Sequence, residues 1–280
     1  MFRDVLLTVD FDRTLTGPDS RIPQRNLDAI HYFIEHGGSF TINTGRSVNT
    51  MGPLLELLPV NAPFLLYNGS AAYWQGALFN CRTIDLDLWQ TMAQVHRQFP
   101  TMNLEIQGAD VHYLYDCNPG YEAFYDTLGW KHLPAVPGMD VGPFLKFSLF
   151  GTVHEHTVSH FFTGYEEEVA FMDHVEQWLK DTYGQTVSIF RAAPRIIDVH
   201  AAGVSKGVAA RTLQKQLEKK ILVCVGDAEN DIAMLDDADF AYCPADGILA
   251  NRYENVCECA KGAVADVIYE KIPGILNIQP

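Results

Sequence analysis

Basic side chains are scarce in this chain. Twenty Lys and Arg stand against 35 Asp and Glu, a formal net charge of -15 over 280 residues. Nucleic acid and anionic membranes are held by basic patches, so this balance argues against either as the main partner. Long apolar runs are also missing. No stretch approaches the roughly 20 residues that cross a bilayer, and a soluble protein is expected. The N-terminus passes directly into a strand-like run, without a secretory leader. The six cysteines, Cys81, Cys117, Cys224, Cys243, Cys257 and Cys259, show no C-x-x-C spacing of zinc or redox sites. Cys257 and Cys259 make only a C-x-C, and Cys224 sits in an apolar run, so a reduced, cytoplasmic set of thiols is expected. Internal repeats and low-complexity segments are absent as well. An acidic chain of this kind needs local positive charge or a metal if it is to handle an anionic substrate.

What is present is globular: 48% apolar and 20% charged residues, in a length that suggests about two domains. Near the start, Val5-Leu6-Leu7-Thr8-Val9 runs into Asp10-Phe11-Asp12-Arg13-Thr14-Leu15. This reads as a buried strand that delivers two carboxylates to its C-terminal edge, where ligands of open α/β sheets bind. Two such anions repel each other unless a cation neutralises them or one carries a proton. A polar turn after a core strand is the plain alternative, since strand ends are often acidic. A helix around Leu27–Ile34, stopped by Gly37-Gly38, leads to a second strand, Ser39–Asn43, that ends at Thr44-Gly45-Arg46. Strand, helix, strand at this spacing is a βαβ unit, so both strands end on the same edge of a parallel sheet. Residues 48–58 read as one helix with Pro53 near its start. Phe64–Tyr67 and Ala71–Trp74 read as strands, the latter leading into a Gln75-Gly76 hairpin turn.

From about Cys81 the pattern changes. A helix over 87–99, strands at 111–115, 144–150, 186–190 and 195–199, and an amphipathic helix over 166–183 mix in the manner of an α+β domain with an antiparallel sheet. This segment reads as an insertion, giving a core of residues 1–81 and 200–280 around an inserted domain of residues 82–199. The aromatics Tyr113, Tyr115, Tyr121, Tyr125 and Trp130 read as its core. Arg191 and Arg195 flank a turn there and are candidates for touching an anionic substrate. His154, His156 and His160 cluster without completing a metal site. The chain then returns to the α/β pattern. A helix follows Ser205-Lys206-Gly207, and the apolar strand Ile221–Val225 ends in Gly226-Asp227-Ala228-Glu229-Asn230-Asp231.

Three parallel strands thus end in Asp10/Asp12, Thr44-Gly45 and Asp227/Asn230/Asp231, with Lys206 opening a helix beside them. Four acidic side chains, a lysine and a hydroxyl gathered at a sheet edge make a poor structural device. They suit Mg²⁺, a hard cation held by a few carboxylates together with substrate phosphate.

In order along the chain, Asp10-Phe11-Asp12-Arg13-Thr14-Leu15, Thr44-Gly45-Arg46, Gly203-Val204-Ser205-Lys206-Gly207 and Gly226-Asp227-Ala228-Glu229-Asn230-Asp231 resemble the four motifs of the haloacid dehalogenase superfamily. The placement of the insertion is similar to the Cof-type phosphatases with a C2B cap. The resemblance implies a Rossmann-like doubly wound core with an inserted α+β cap. It also implies a Mg²⁺-dependent hydrolase of small phosphomonoesters, sugar phosphates foremost. Asp10 would be the nucleophile and Asp12 the acid and base. Mg²⁺ would be held by Asp10, the Asp12 carbonyl and Asp227. Thr44, Gly45, Arg46, Lys206 and Asn230 would contact phosphate or substrate, and Asp231 would orient Lys206 or the metal's water. The resemblance leaves room for a sugar phosphomutase of similar architecture, and a non-catalytic binding protein on the same fold is a third reading. A small phosphorylated metabolite is the expected partner; the oligomeric state is not legible. Two departures stand out. Arg13 occupies a place where this family usually has glycine, and Cys243–Gly247 lacks the asparagine turn common in Cof-type members.

Overall fold

The computed structural model describes residues 1–151 and 166–277. His154, His156 and His160 fall outside them. The chain begins with β1 (Val5–Val9), α1 (Gln24–Glu35) and β2 (Ser39–Ile42), followed by two short helices, α2 (Val48–Met51) and α3 (Leu54–Leu57), and by β3 (Phe64–Leu66), β4 (Ala71–Trp74) and β5 (Ala77–Phe79). Next come α4 (Leu88–Gln98), β6 (Asn103–Gln107), β7 (His112–Tyr115), α5 (Pro119–Leu128), β8 (His132–Pro134), β9 (Lys146–Phe150), α6 (Glu166–Tyr183), β10 (Val187–Ala193) and β11 (Ile196–Ala201). The last stretch holds α7 (Lys206–Gln216), β12 (Ile221–Val225), α8 (Ile232–Asp237), β13 (Phe240–Pro244), β14 (Glu254–Val256), α9 (Ala263–Asp266) and α10 (Ile272–Ile275).

These elements pack as two compact units. One comprises residues 1–45, 53–79 and 205–280; the other comprises 46–52 and 80–204.

In the first unit a parallel sheet runs in the order β14-β13-β12-β1-β2. From β1 the chain steps outward to β2 and later returns to β12 on the other side. The order therefore reverses beside β1, and the crevice at such a reversal is where open α/β sheets take ligands. Burial explains the sequence of these strands. Leu6, Leu7 and Val9 of β1 and Leu222, Val223 and Val225 of β12 are fully buried, as strands covered on both faces must be. Ala210 and Leu213 of α7 and Met234 and Leu235 of α8 pack on the face carrying Leu6, Leu222 and Cys224.

The single helix expected over 48–58 is two. Gly52 adopts φ 46° and Pro53 occupies the cap position of α3. Proline has no N–H to give and its ring blocks the preceding turn, so the helix cannot run through it. The pieces part company, α2 packing with the second unit and α3 with the first.

The second unit is a six-stranded sheet in the order β10-β11-β9-β6-β7-β8, antiparallel except for β7 with β8. Leu104, Ile106, Phe147, Leu149, Ile197 and Val199 face α4 and α6, whose Met92, Val95, Met172, Val175 and Leu179 close an apolar core. The opposite face is polar yet buried, with Glu105, Gln107, His112, Lys146, Ser148 and Asp198 on adjoining strands. Tyr121 and Tyr125 of α5 are buried against Leu114, with Trp130 packed beside them, so these aromatics are core. Arg191 is tied to α6 by ion pairs to Asp173 (3.0 Å) and Glu176 (3.2 Å), which accounts for its charge structurally. The elements β6, α5 and β8 have no counterpart in the sequence reading, nor does β14.

Candidate active site

The site grows from the C-terminal ends of β1, β2 and β12. Asp10 is the first residue beyond β1, and its N–H donates to Val225 O on β12 (2.9 Å). The turn after it is closed by Leu15 N–H to Asp10 O (3.2 Å) and Thr16 N–H to Phe11 O (3.0 Å). Within that turn Arg13 adopts a left-handed backbone, φ 58°. The turn folds Thr14 inward, and its hydroxyl donates to Asp227 Oδ1 (2.8 Å). The charge of Asp12 is close enough to act on Asp10.

Lys206, the first residue of α7, is buried and reaches back across the site. Its Nζ donates to Asp10 Oδ1 (2.5 Å) and to Asp231 Oδ1 (2.6 Å). Asp231 is itself fully engaged, since Oδ2 accepts from the N–H groups of Asp227 (3.0 Å) and Ala228 (3.1 Å). Gly226 makes this possible. A Cβ there would stand 2.6 Å from Cβ and Cγ of Asp231, so only glycine lets that carboxylate fold against the strand end.

The electrostatics follow from the crowding. Burial first, and then the carboxylates of Asp231, Asp227 and Asp12, push the Asp10 pKa well up, while Lys206 opposes them. Burial and Asp231 push Asp227 up to about 7 against the Thr14 hydroxyl and Lys206. Burial disfavours the Lys206 charge, but Asp10 and Asp231 more than restore it, and its pKa is raised. One carboxylate oxygen from each of Asp10, Asp227 and Asp231 lies within 4.8 Å of the others. Hard oxygen donors, clustered and buried, two of them (Asp10 and Asp227) resisting ionisation for want of positive charge, fit a divalent cation.

Thr44 is buried at the end of β2, with its N–H on Leu65 O and its carbonyl accepting from Asn68 N–H (both 2.9 Å). Asn230 Nδ2 donates to Asn68 Oδ1 (3.2 Å). Asn68 therefore joins the motif at β2 to the one after β12, a role that sequence reasoning missed. Its signal was the polar turn Asn68-Gly69 after an apolar strand, and its own backbone is left-handed at φ 53°. Thr14 was likewise overlooked as a partner of Asp227. Arg46 falls apart from this group in packing. It belongs to the second unit, where Nη1 donates to Thr50 O (3.4 Å). The six cysteines are free thiols. Cys257 and Cys259 face Asp266 and Asp246, and burial pushes them up to about 11 and about 12, so they are inert.

Residues 7–261 match the family model of the haloacid dehalogenase-like hydrolases. The chain belongs to that family. It is 22% identical to an uncharacterised hydrolase of Schizosaccharomyces pombe, over 98% of this chain and 92% of the relative. It is 24% identical to an HMP-PP phosphatase of Enterobacter sp., over 82% of this chain and 80% of the relative. Among solved structures, a subclass IIB sugar phosphatase of the haloacid dehalogenase superfamily superposes with a TM-score of 0.75. It has 19% identity and covers 98% of this chain and 99% of that one. The inserted six-stranded unit and the parallel core are the family fold.

Proposed function

We propose that this hydrolase removes phosphate from small phosphomonoesters, sugar phosphates foremost, by way of an aspartyl-phosphate on Asp10. The observation that carries the reading is the buried Asp10–Lys206–Asp231 chain with Asp227 alongside it at the sheet's switch point. In this reading Asp10 attacks phosphorus while the bond to the leaving oxygen breaks, and Asp12 gives that oxygen a proton. Asp12 then takes a proton from water. The water oxygen attacks phosphorus, the bond to Asp10 breaks, and inorganic phosphate leaves. Thr44, Gly45 and Lys206 hold the phosphoryl oxygens, Lys206 supplying the positive charge that the acidic chain lacks elsewhere. Asn230, tied to Asn68, contacts phosphate or substrate.

Asp10, the carbonyl of Asp12 and Asp227 would hold Mg²⁺, with Asp231 kept behind them by its two backbone amides and Lys206. Bound there, the ion offsets the repulsion between nucleophile and phosphate. The first unit serves as the catalytic core and the second as the substrate-selecting cap. The phosphatase names of the relatives and the sugar phosphatase neighbour support the substrate class. Free thiols suit a reducing compartment, and the cytoplasm is taken as the place of work.

The test is phosphate release from a phosphomonoester panel with Mg²⁺. Turnover should vanish with EDTA and fall roughly a thousandfold or more in Asp10→Asn, as loss of a covalent nucleophile requires. Full activity of Asp10→Asn, release from no member of the panel, or an isomerised phosphate in place of free phosphate would each overturn the reading.

A further inference from the structure

Asn43 lies between β2 and Thr44 and is fully buried. Its backbone N–H donates to Val9 O (2.9 Å), one residue before Asp10. Its side chain crosses to the other motif, Nδ2 donating to the backbone carbonyl of Lys206 (2.9 Å) and lying 3.5 Å from Met234 Sδ on α8. The opposite amide orientation would set two carbonyl oxygens against each other, so the donor is fixed as the nitrogen. Oδ1 has no hydrogen-bond partner among the described residues.

Lys206 depends on where its backbone is fastened. Its ammonium must meet Asp10 and Asp231 at once, at 2.5 and 2.6 Å, from the first residue of a helix. Ser205 caps that helix through Val208 N–H (3.1 Å). Gly207 seats it on α8, where a Cβ would stand 2.2 Å from Ala233 O. Ala210 and Leu213 pack the helix on the sheet face, but neither they nor these two contacts fasten the Lys206 backbone to the end of β2; the Asn43 amide does so.

Resting on the phosphatase reading above, we propose that Asn43 is a positioning residue, whose amide fastens the Lys206 backbone to the end of β2 and so sets the ammonium between Asp10 and Asp231. The orphaned Oδ1 separates this from a stability role. Burying an acceptor without a donor is unfavourable, and an apolar side chain of the same shape would avoid it. Asparagine at this point serves geometry.

The experiment compares the full-length protein with Asn43→Leu by thermal melting, by kcat on a phosphomonoester that the wild type hydrolyses, and by calorimetric titration with two probes, Mg²⁺ alone and orthovanadate in the presence of Mg²⁺. Vanadate mimics the transferring phosphoryl group and meets Lys206; Mg²⁺ alone does not. The melt should stay within a few degrees of wild type. Both kcat and vanadate affinity should fall about tenfold, as misplacing one such contact does, with Mg²⁺ affinity equal or tighter. If Asn43→Leu does not melt cooperatively, Asn43→Asp keeps the shape but turns an acceptor toward the Lys206 carbonyl, and should show the same split. Unchanged vanadate affinity and kcat would overturn the proposal, as would a joint loss of Mg²⁺ and vanadate binding. Failure of the phosphatase reading itself would be visible separately, in a wild type that neither releases phosphate nor binds vanadate.

Discussion

Arg13 holds a left-handed backbone in the turn that carries Asp12 and Thr14. For a side chain other than glycine, asparagine or aspartate this costs about 1–2 kcal/mol. Glycine adopts such a backbone freely, whereas Arg13 completes the turn under that strain. Arg13→Gly trades the relief of strain against about 0.5–1 kcal/mol of added freedom in the unfolded chain. A melting temperature within a few degrees of wild type is therefore expected, checked by calorimetry. Asp227 gives a second residue-scale prediction. With its pKa raised to about 7 by burial and Asp231, it keeps a proton that a cation must displace. Mg²⁺ affinity should rise as pH climbs from 5.5 through about 7; titration at pH 5.5, 7 and 8.5 reads this directly. An affinity flat from pH 5.5 upward would contradict it.

At the scale of elements, the polar face of the second unit's sheet is the part that resisted reading. Glu105 of β6 accepts hydrogen bonds from Tyr121 (2.7 Å), Tyr125 and Gln107 and pairs with His112 Nδ1 (3.1 Å), all buried. Ser47 Oγ meets His112 Nε2 at 2.7 Å on the far side of the ring. Burial would raise the Glu105 pKa, but His112 and the two tyrosine hydroxyls hold it down at about 2. Between about pH 4.5 and 2 the unfolded chain carries a proton on Glu105 that the folded protein refuses. The stability that Glu105 adds is therefore full above about 4.5 and disappears as pH falls toward 2. Glu105→Gln should destabilise at neutral pH by about 3–5 kcal/mol, as removal of one buried partner does, and should flatten the loss of stability on acidification. Denaturant melts across pH 2–7 would show both. The same chemistry explains what was legible. β1, β2 and β12 announce themselves because strands covered on both faces are apolar throughout. β6 escaped because Asn103, Glu105 and Gln107 are polar and buried together, which alternation counts as a solvent face. The helix Pro119–Leu128 was signalled by its Asn118-Pro119 start and Gly129 stop, but its aromatics masked the period. The grouping of Asp10, Lys206, Asp227 and Asp231 was legible because these residues stand at strand and helix ends. Asn43 and Asn68 were not, because their roles lie in which backbone each one touches.

For the whole molecule, the charge of -15 sets a background that would repel the phosphorylated substrates proposed above, against which Lys206 and the proposed cation would act locally. Screening by salt should weaken that background first, because it acts over distances beyond a Debye length of about 10 Å at 0.1 M. The expected outcome is a kcat/KM that rises modestly, about twofold, between 10 and 150 mM NaCl at fixed Mg²⁺. A severalfold fall would show that local attraction dominates instead. The division of the chain has a consequence for protein engineering. Residues 46–52 pack with the second unit although they lie far upstream of it in sequence. They are clasped there by Ser47 on His112 and by Asn49, whose side chain exchanges two hydrogen bonds with the Lys131 backbone (2.8 and 3.0 Å). A chimera that grafts residues 80–204 alone onto a relative's scaffold would strip His112 and Lys131 of these partners and leave seven residues of the host clasping nothing. The transplantable module is two pieces of sequence, 46–52 together with 80–204, and domain swaps made at the long segment's ends alone should yield poorly folding hybrids.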